Sequence, residues 1–141
     1  MLFRSLYALG RYWIEVPEVV KVVLDGALRP GVFGRDVALH VNGVLGQQGA
    51  LAMGLEFAGS YVAAAGMDMR FTLANMGTEM GAVTSYIQPD GTTRAWLKPR
   101  LNKPYTVYDT DRDFVYAASH AIDVAAIEPQ VAAPQIGRAH V

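Results

Sequence analysis

The segment from Leu73 to Ala82 holds the two polar residues best placed for chemistry, Asn75 and Glu79. Residues four apart on an α-helix share one face, with Cβ atoms about 5–6 Å apart. The spacing therefore predicts a carboxylate that can exchange a proton beside an amide that can hydrogen-bond without adding charge. Gly77 and Gly81 are unusual on an exposed helix and indicate close approach of another backbone or a ligand. A solvent-facing glutamate beside a packing glycine is the alternative.

Two histidines and three glycines are weaker candidates. His40 and His120 have no second histidine or carboxylate at metal-ligand spacing, so a structural role is favoured and no metal ligand is predicted. A metal-dependent enzyme that uses both histidines stays open as a hypothesis. Gly43, Gly46 and Gly49 do not follow the pattern G-x-G-x-x-G, so they predict a helix end and a tight turn rather than a phosphate-binding loop.

Composition limits the class of protein. The chain has 141 residues, of which 52% are hydrophobic and 18% charged, so it can bury a core. With 12 basic and 13 acidic residues the net charge is -1, which argues against a nucleic-acid partner. Cysteine is absent, which excludes disulfides and fits a reducing, cytoplasmic compartment. No apolar run reaches about 18 residues, so we expect no membrane partner.

Strand-like and helix-like patterns alternate, which predicts an α/β fold with a mixed or parallel sheet and flanking helices. Runs of β-branched and aromatic residues predict strands over 12–16, 19–24, 52–57 and 83–87, and a last apolar strand within 120–127. Apolar spacing predicts a helix over 37–45. We expect Asp68 to cap the next helix, whose buried side takes Phe71, Leu73, Met76 and Met80. Thr92 and Thr93 are expected to cap a helix through Leu97, and residues 98–113 to form a loop.

The residues at both ends of the chain indicate sequence that is not part of the native protein. Residues 2–5 read Leu-Phe-Arg-Ser, the translation of CTC TTC CGA TCT, which resembles the end of a sequencing-library adapter. Residues 136–141 resemble the same adapter read outward. We therefore expect residues 1–5 and 136–141 to be adapter-derived, and residues 6–135 to be a segment cut from a longer gene. His140 is excluded as a ligand for this reason.

Seven stretches, in order, resemble patterns of the aconitase superfamily. The likeness is greatest to its branch of 3-isopropylmalate dehydratase large subunits and homoaconitases. Each stretch alone is weakly specific, but seven in the family's order, spread over nearly the whole of residues 6–135, form a specific pattern. They are 16–18 with 22–26 (Val-Pro-Glu and Val-Val-Leu-Asp-Gly), 34–37 with 39–40, 46–50, 56–59 (Glu-Phe-Ala-Gly), 67–72, 75–82 and 128–134.

The resemblance implies a fold, a reaction and a set of partners. It implies part of an aconitase-like α/β domain in a hydro-lyase that removes water from a hydroxy polycarboxylate and adds it back at the other position. A [4Fe-4S] cluster serves as the Lewis acid in this family, and a small swivelling domain or subunit completes the site. By the same resemblance, Glu79 is a catalytic group near the open iron site, and Asn75 lies beside cluster and substrate. The branch suggests 3-isopropylmalate and leucine biosynthesis, with homoaconitase or aconitase activity as the alternative.

One departure from the family pattern concerns the cluster. The family holds it with three cysteines and this chain has none, so we expect those residues later in the full-length protein and the isolated chain to be inactive. Relatives often carry cysteine where Ala74 stands, but that cysteine is not a cluster ligand. A stand-alone, non-enzymatic α/β binding module is the alternative from another class.

Overall fold

A computed structural model describes residues 2–11 and 14–131. The helices are α1 (Leu2–Leu9), α2 (Gly34–Leu45), α3 (Ser60–Ala64), α4 (Met67–Met76) and α5 (Gly91–Leu97). The strands are β1 (Val19–Asp25), β2 (Gly54–Ala58), β3 (Thr84–Ile87) and β4 (Ala118–Asp123). Two short 3₁₀ turns follow α4 and β4, at Gly77–Met80 and Val124–Ala126. None of the helices in this described part is long and apolar enough to cross a bilayer.

The four strands form one parallel sheet in the order β3-β2-β1-β4, which confirms the predicted α/β class. The chain moves outward from β1 through β2 to β3, and β4 then adds on the opposite side of β1. Parallel neighbours require crossover connections, and these contain α2 between β1 and β2, and α3 and α4 between β2 and β3.

The core lies on one face of this sheet, because side chains alternate along each strand. Val20, Val22 and Leu24 of β1 are buried, and they cluster with Leu55 and Phe57 of β2. Helices α2 and α4 contribute to the same core, through Val37, Val41 and Leu73. The opposite face carries Lys21 and Glu56, which are paired in register.

Several predicted elements are confirmed with shifted ends. Strands β1, β2 and β3 begin within two residues of the predicted positions, and residues 98–113 contain no helix or strand. Helix α2 ends before Gly46, as predicted, but begins earlier, because the Asp36 carboxylate accepts a hydrogen bond from the backbone N–H of Phe33 (2.7 Å). For the predicted strand over 12–16, residues 12 and 13 lie outside the described residues, and 14–16 lie in no strand.

The predicted caps and one buried residue are wrong. Helix α4 has Gly66 at its N-cap, and Asp68 lies inside the first turn, where its charge still favours the helix dipole. Helix α5 is capped by Asp90, which accepts a hydrogen bond from the N–H of Thr93, instead of by Thr92 or Thr93. Phe71 is 48% exposed and packs edge-on against the ring of Trp96 at 5.3 Å.

Candidate functional site

Asn75 and Glu79 do not lie on one continuous α-helix. Helix α4 ends at Met76, and Glu79 follows on the 3₁₀ turn Gly77–Met80, so the predicted shared helix face is wrong. A 3₁₀ turn has 3.0 residues per turn instead of 3.6, which separates the two side-chain directions by about 100° instead of about 40°. Both residues are exposed, and within the described part of the chain neither side chain makes a hydrogen bond.

The opposite side of the same segment is buried. Arg70, Leu73, Gly77 and Met80 are its buried positions, at spacings of three, four and three. Gly77 leaves space for the hydroxyl oxygen of Ser85, which a Cβ at position 77 would displace. The segment is thus anchored through this side, and Asn75 and Glu79 remain on the accessible side.

A second turn, residues 46–53, holds the 3₁₀ turn in place. Gly81 has a positive φ of 80°, and a Cβ there would lie 3.1 Å from the Cα of Leu51, which confirms the predicted close approach of another backbone. Ala52 has a φ of 60°, and it is the one non-glycine residue with positive φ in the described ranges. Three backbone hydrogen bonds of 2.9–3.1 Å join the two segments, from Ala50 N to Met80 O, from Ala52 N to Gly81 O and from Val83 N to Met53 O.

A groove of about 560 Å³ runs along α4 beside the start of α2, and Asn75 lines it. Its charged lining residues are Arg35 and Asp68, and Thr72 adds a hydroxyl group. Glu79 does not line this groove. The groove can admit a small polar molecule to Asn75, and Glu79 lies outside its lining on the exposed side of the next turn.

The buried Arg70 forms an ion pair with the partly exposed Asp90, which charge patterning alone does not reveal. The Arg70 side chain is 4% exposed, and its guanidinium donates to Oδ1 and Oδ2 of Asp90 at 2.8 and 2.6 Å. It also donates to the carbonyls of Ala63 and Ala65 and to the Thr93 hydroxyl. The guanidinium holds the pKa of Asp90 well below its ordinary value. Arg70 lies three positions before the buried Leu73 on the same helix, and this spacing is the sequence signal that could have identified Arg70 as buried.

A smaller cavity of about 300 Å³ lies at the carboxyl ends of β2 and β3, and its lining includes Lys21 as well as the linked Arg70 and Asp90. Glu56 lines it and is only 6% exposed, and its carboxylate accepts a hydrogen bond from the Thr110 hydroxyl at 3.1 Å. The ammonium of Lys21 lies 4.7 Å from the ring centre of Tyr116. The Tyr86 hydroxyl donates to the carbonyl of Tyr108, and burial raises the pKa of Tyr86. These contacts fasten the loop that precedes β4 onto the sheet.

The end of β1 is closed by a local hydrogen-bonding arrangement. Oδ1 of Asp25 accepts from the backbone N–H and the hydroxyl of Ser60 at 2.8 and 2.9 Å, which lowers the pKa of Asp25. Gly59 precedes this contact with a φ of 107°, and a Cβ there would overlap the backbone of Leu24. Asp25 and Gly59 therefore have structural roles that account for their places in the family-like stretches.

The described residues contain no group of three His, Cys, Asp or Glu side chains that could hold a metal ion. His40 lies on α2 and His120 on β4. The hypothesis of a metal enzyme built on these two histidines therefore has no ligand set in this part of the chain. The whole sequence contains no cysteine that could supply a thiolate.

Comparison with known proteins places the chain in a family. The family model described as aconitase (aconitate hydratase) matches residues 4–141. The chain belongs to the aconitase family. It is 45% identical over 127 residues to the 3-isopropylmalate dehydratase large subunit of Syntrophus aciditrophicus, covering 90% of the chain and 30% of the relative. It is 43% identical over 129 residues to that of Clostridium kluyveri, covering 92% of the chain and 31% of the relative.

A third relative gives the same result. Large subunit 1 of the Pyrococcus furiosus 3-isopropylmalate dehydratase is 39% identical over 129 residues, covering 92% of the chain and 30% of the relative. The chain thus spans about 30% of the length of the relatives it matches. The predicted resemblance to the aconitase superfamily is confirmed, and so is the likeness to its isopropylmalate dehydratase branch.

Proposed function

We propose that residues 6–135 are a segment of the large subunit of a hydro-lyase that isomerises 3-isopropylmalate by dehydration and rehydration. The likeness to 3-isopropylmalate dehydratase large subunits, at 39–45% identity over 90% or more of the chain, supports this choice over homoaconitase or aconitase. The observation that carries the site is the exposure of Asn75 and Glu79 without a hydrogen-bond partner among the described residues.

Glu79 has the chemistry for the proton transfer at the departing oxygen. In dehydration a C–O bond and a neighbouring C–H bond break, and the hydroxyl group leaves as water after gaining a proton. We assign that proton to the Glu79 carboxyl group, which takes one back when water adds to the double bond. The proton on carbon requires a separate base outside this segment. Asn75 donates or accepts a hydrogen bond at a substrate oxygen and so orients it without adding charge.

The [4Fe-4S] cluster implied by the family does not fit the donor set of this segment. Such clusters are held by cysteine thiolates, and the chain has no cysteine. The cluster ligands therefore belong to the proposed protein outside this segment. Asn75 and Glu79 act on the substrate rather than as ligands. A small subunit is the proposed partner, because the relatives carry the name large subunit.

Substitution of Glu79 in the full-length large subunit, assembled with its small subunit, tests the assignment. We expect Glu79→Gln to lower kcat for 3-isopropylmalate by about 10²–10⁴-fold, the usual contribution of a general acid or base. Glu15→Gln is the matched control, because Glu15 is also exposed and lies far from α4 in the sequence. Wild-type turnover in the Glu79→Gln enzyme would refute the catalytic role. Faster turnover of citrate or homocitrate than of 3-isopropylmalate would instead favour the alternative substrates.

A further inference from the structure

The backbone conformation of Ala52 needs an explanation. A non-glycine residue with positive φ is uncommon, and such conformations persist only where the surroundings impose them. Ala52 has a φ of 60°, yet its side chain is exposed, so core packing does not impose this conformation. Its backbone N–H donates to the carbonyl of Gly81 at 3.1 Å, directly after the 3₁₀ turn that carries Glu79.

The neighbouring backbone hydrogen bonds support the same interpretation. Ala50 N donates to Met80 O at 3.1 Å, and Val83 N donates to Met53 O at 2.9 Å, so bonds lie on either side of Ala52. The three bonds define a pair of interlocked turns, residues 46–53 and 77–83. A change of φ at Ala52 rotates the chain that follows about the N–Cα bond, so with the Ala52 N–H held on Gly81 O the carbonyl of Met53 would turn away from Val83 N. At an ordinary negative φ the interlocked turns would thus keep one of these two bonds and lose the other.

We propose that Ala52 is a positioning residue for Glu79: its left-handed backbone conformation locks the interlocked turns and so fixes the place of the Glu79 carboxylate. This inference rests on the proposed catalytic role of Glu79. Ala52 does not touch the substrate in this proposal. It acts only through the backbone, so the identity of its side chain matters solely by the φ values that it permits.

Substitutions at position 52 separate backbone conformation from side-chain chemistry. Valine strongly disfavours positive φ, whereas glycine and asparagine tolerate it. In the full-length holoenzyme we expect Ala52→Val to lower kcat by at least tenfold with KM within about threefold, while Ala52→Asn and Ala52→Gly stay within about threefold of wild type in kcat. Ala27→Val is the matched control, because Ala27 is exposed and irregular but has no positive φ.

The pH profile distinguishes positioning from simple loss of folded enzyme. Unfolding of a fraction of the enzyme would lower kcat equally at every pH. Displacement of an acid–base group would change the shape of the kcat profile, so we expect Ala52→Val to shift toward the profile of Glu79→Gln. A lowered kcat with an unaltered profile would overturn the proposal, and so would full activity of Ala52→Val. If Glu79→Gln itself retained full activity, the proposed function would fail and not merely the role of Ala52.

Discussion

Replacement of Arg70 by methionine tests whether its link to Asp90 is the main connection between α4 and α5. Methionine keeps much of the unbranched stem in the buried site but removes the guanidinium group. The change deletes the bidentate contact to Asp90 and the bonds to the Thr93 hydroxyl and to two carbonyls, of Ala63 and Ala65. The loss of unfolding free energy depends on how exposed the side chains of Arg70 and Asp90 are.

The pair is asymmetric, since the Arg70 side chain is 4% exposed and the Asp90 side chain 39%. A hydrogen-bonded charged pair contributes about 1.5–3 kcal/mol, and the lower end applies because Asp90 can regain water once the guanidinium is gone. The two carbonyls add about 0.5–1 kcal/mol each. We therefore expect Arg70→Met to lower the free energy of unfolding by about 2.5–3.5 kcal/mol, which moves a urea midpoint by about 1–2 M.

Urea unfolding of the 141-residue chain, followed by the fluorescence of Trp96, measures this effect close to the link. The chain has two tryptophans, so Trp13→Phe leaves Trp96 on α5 as the single reporter. Arg94→Met is the matched control, because Arg94 lies on α5 with the reporter Trp96, is exposed and forms no ion pair with described residues. We expect that control to stay within about 0.5 kcal/mol of the parent. Equal effects of the two substitutions would refute the assigned role of Arg70.

Two further predictions use the same assay. The free energy of unfolding should decrease as the pH falls below 3.8, the ordinary pKa of an aspartate. The pKa of Asp90 is lowered in the folded chain, so the unfolded chain takes up the proton first. Asp90→Asn should flatten this part of the pH profile, and an equal slope in both proteins would contradict the prediction. Gly81→Ala should destabilise the chain by about 1–2 kcal/mol, since its φ is positive and its Cβ would crowd Leu51, whereas Gly43→Ala inside α2 should be neutral or stabilising by up to about 1 kcal/mol.

The elements that the sequence predicts well are those whose patterns reflect burial. The β-branched run of β1 forms an inner strand of the parallel sheet, and its buried residues alternate because the core covers one face of that sheet. Gly46 ends α2 because it adopts a positive φ of 78°. These local signals needed no knowledge of the rest of the chain.

The features that the sequence does not predict depend on contacts distant in the chain. The change from α-helix to 3₁₀ turn after Met76 goes with the close approach of Gly77 to Ser85, and with the bonds to residues 46–53. A four-residue turn carries too short a pattern to separate a period of 3.0 from one of 3.6. The burial of Arg70 is not predicted, because charge normally indicates exposure and its charged partner Asp90 lies 20 residues later.

Polar residues in the family-like stretches divide into those that the fold uses and those that it leaves available. Asp25 and Asp36 bind backbone N–H groups, and Arg70 binds a carboxylate and two carbonyls. Asn75 and Glu79 have no such use among the described residues, although the fold fixes the backbone of their segment through its buried side and through the interlocked turns. A position that is rigidly held yet has no internal partner contributes little to stability, and rigid support of unpaired polar groups is what an active site requires. Arg35 and Asp68, which line the groove beside Asn75, also have no side-chain hydrogen bond among the described residues, so this contrast supports the proposed roles of Asn75 and Glu79 only together with the family likeness of their segment.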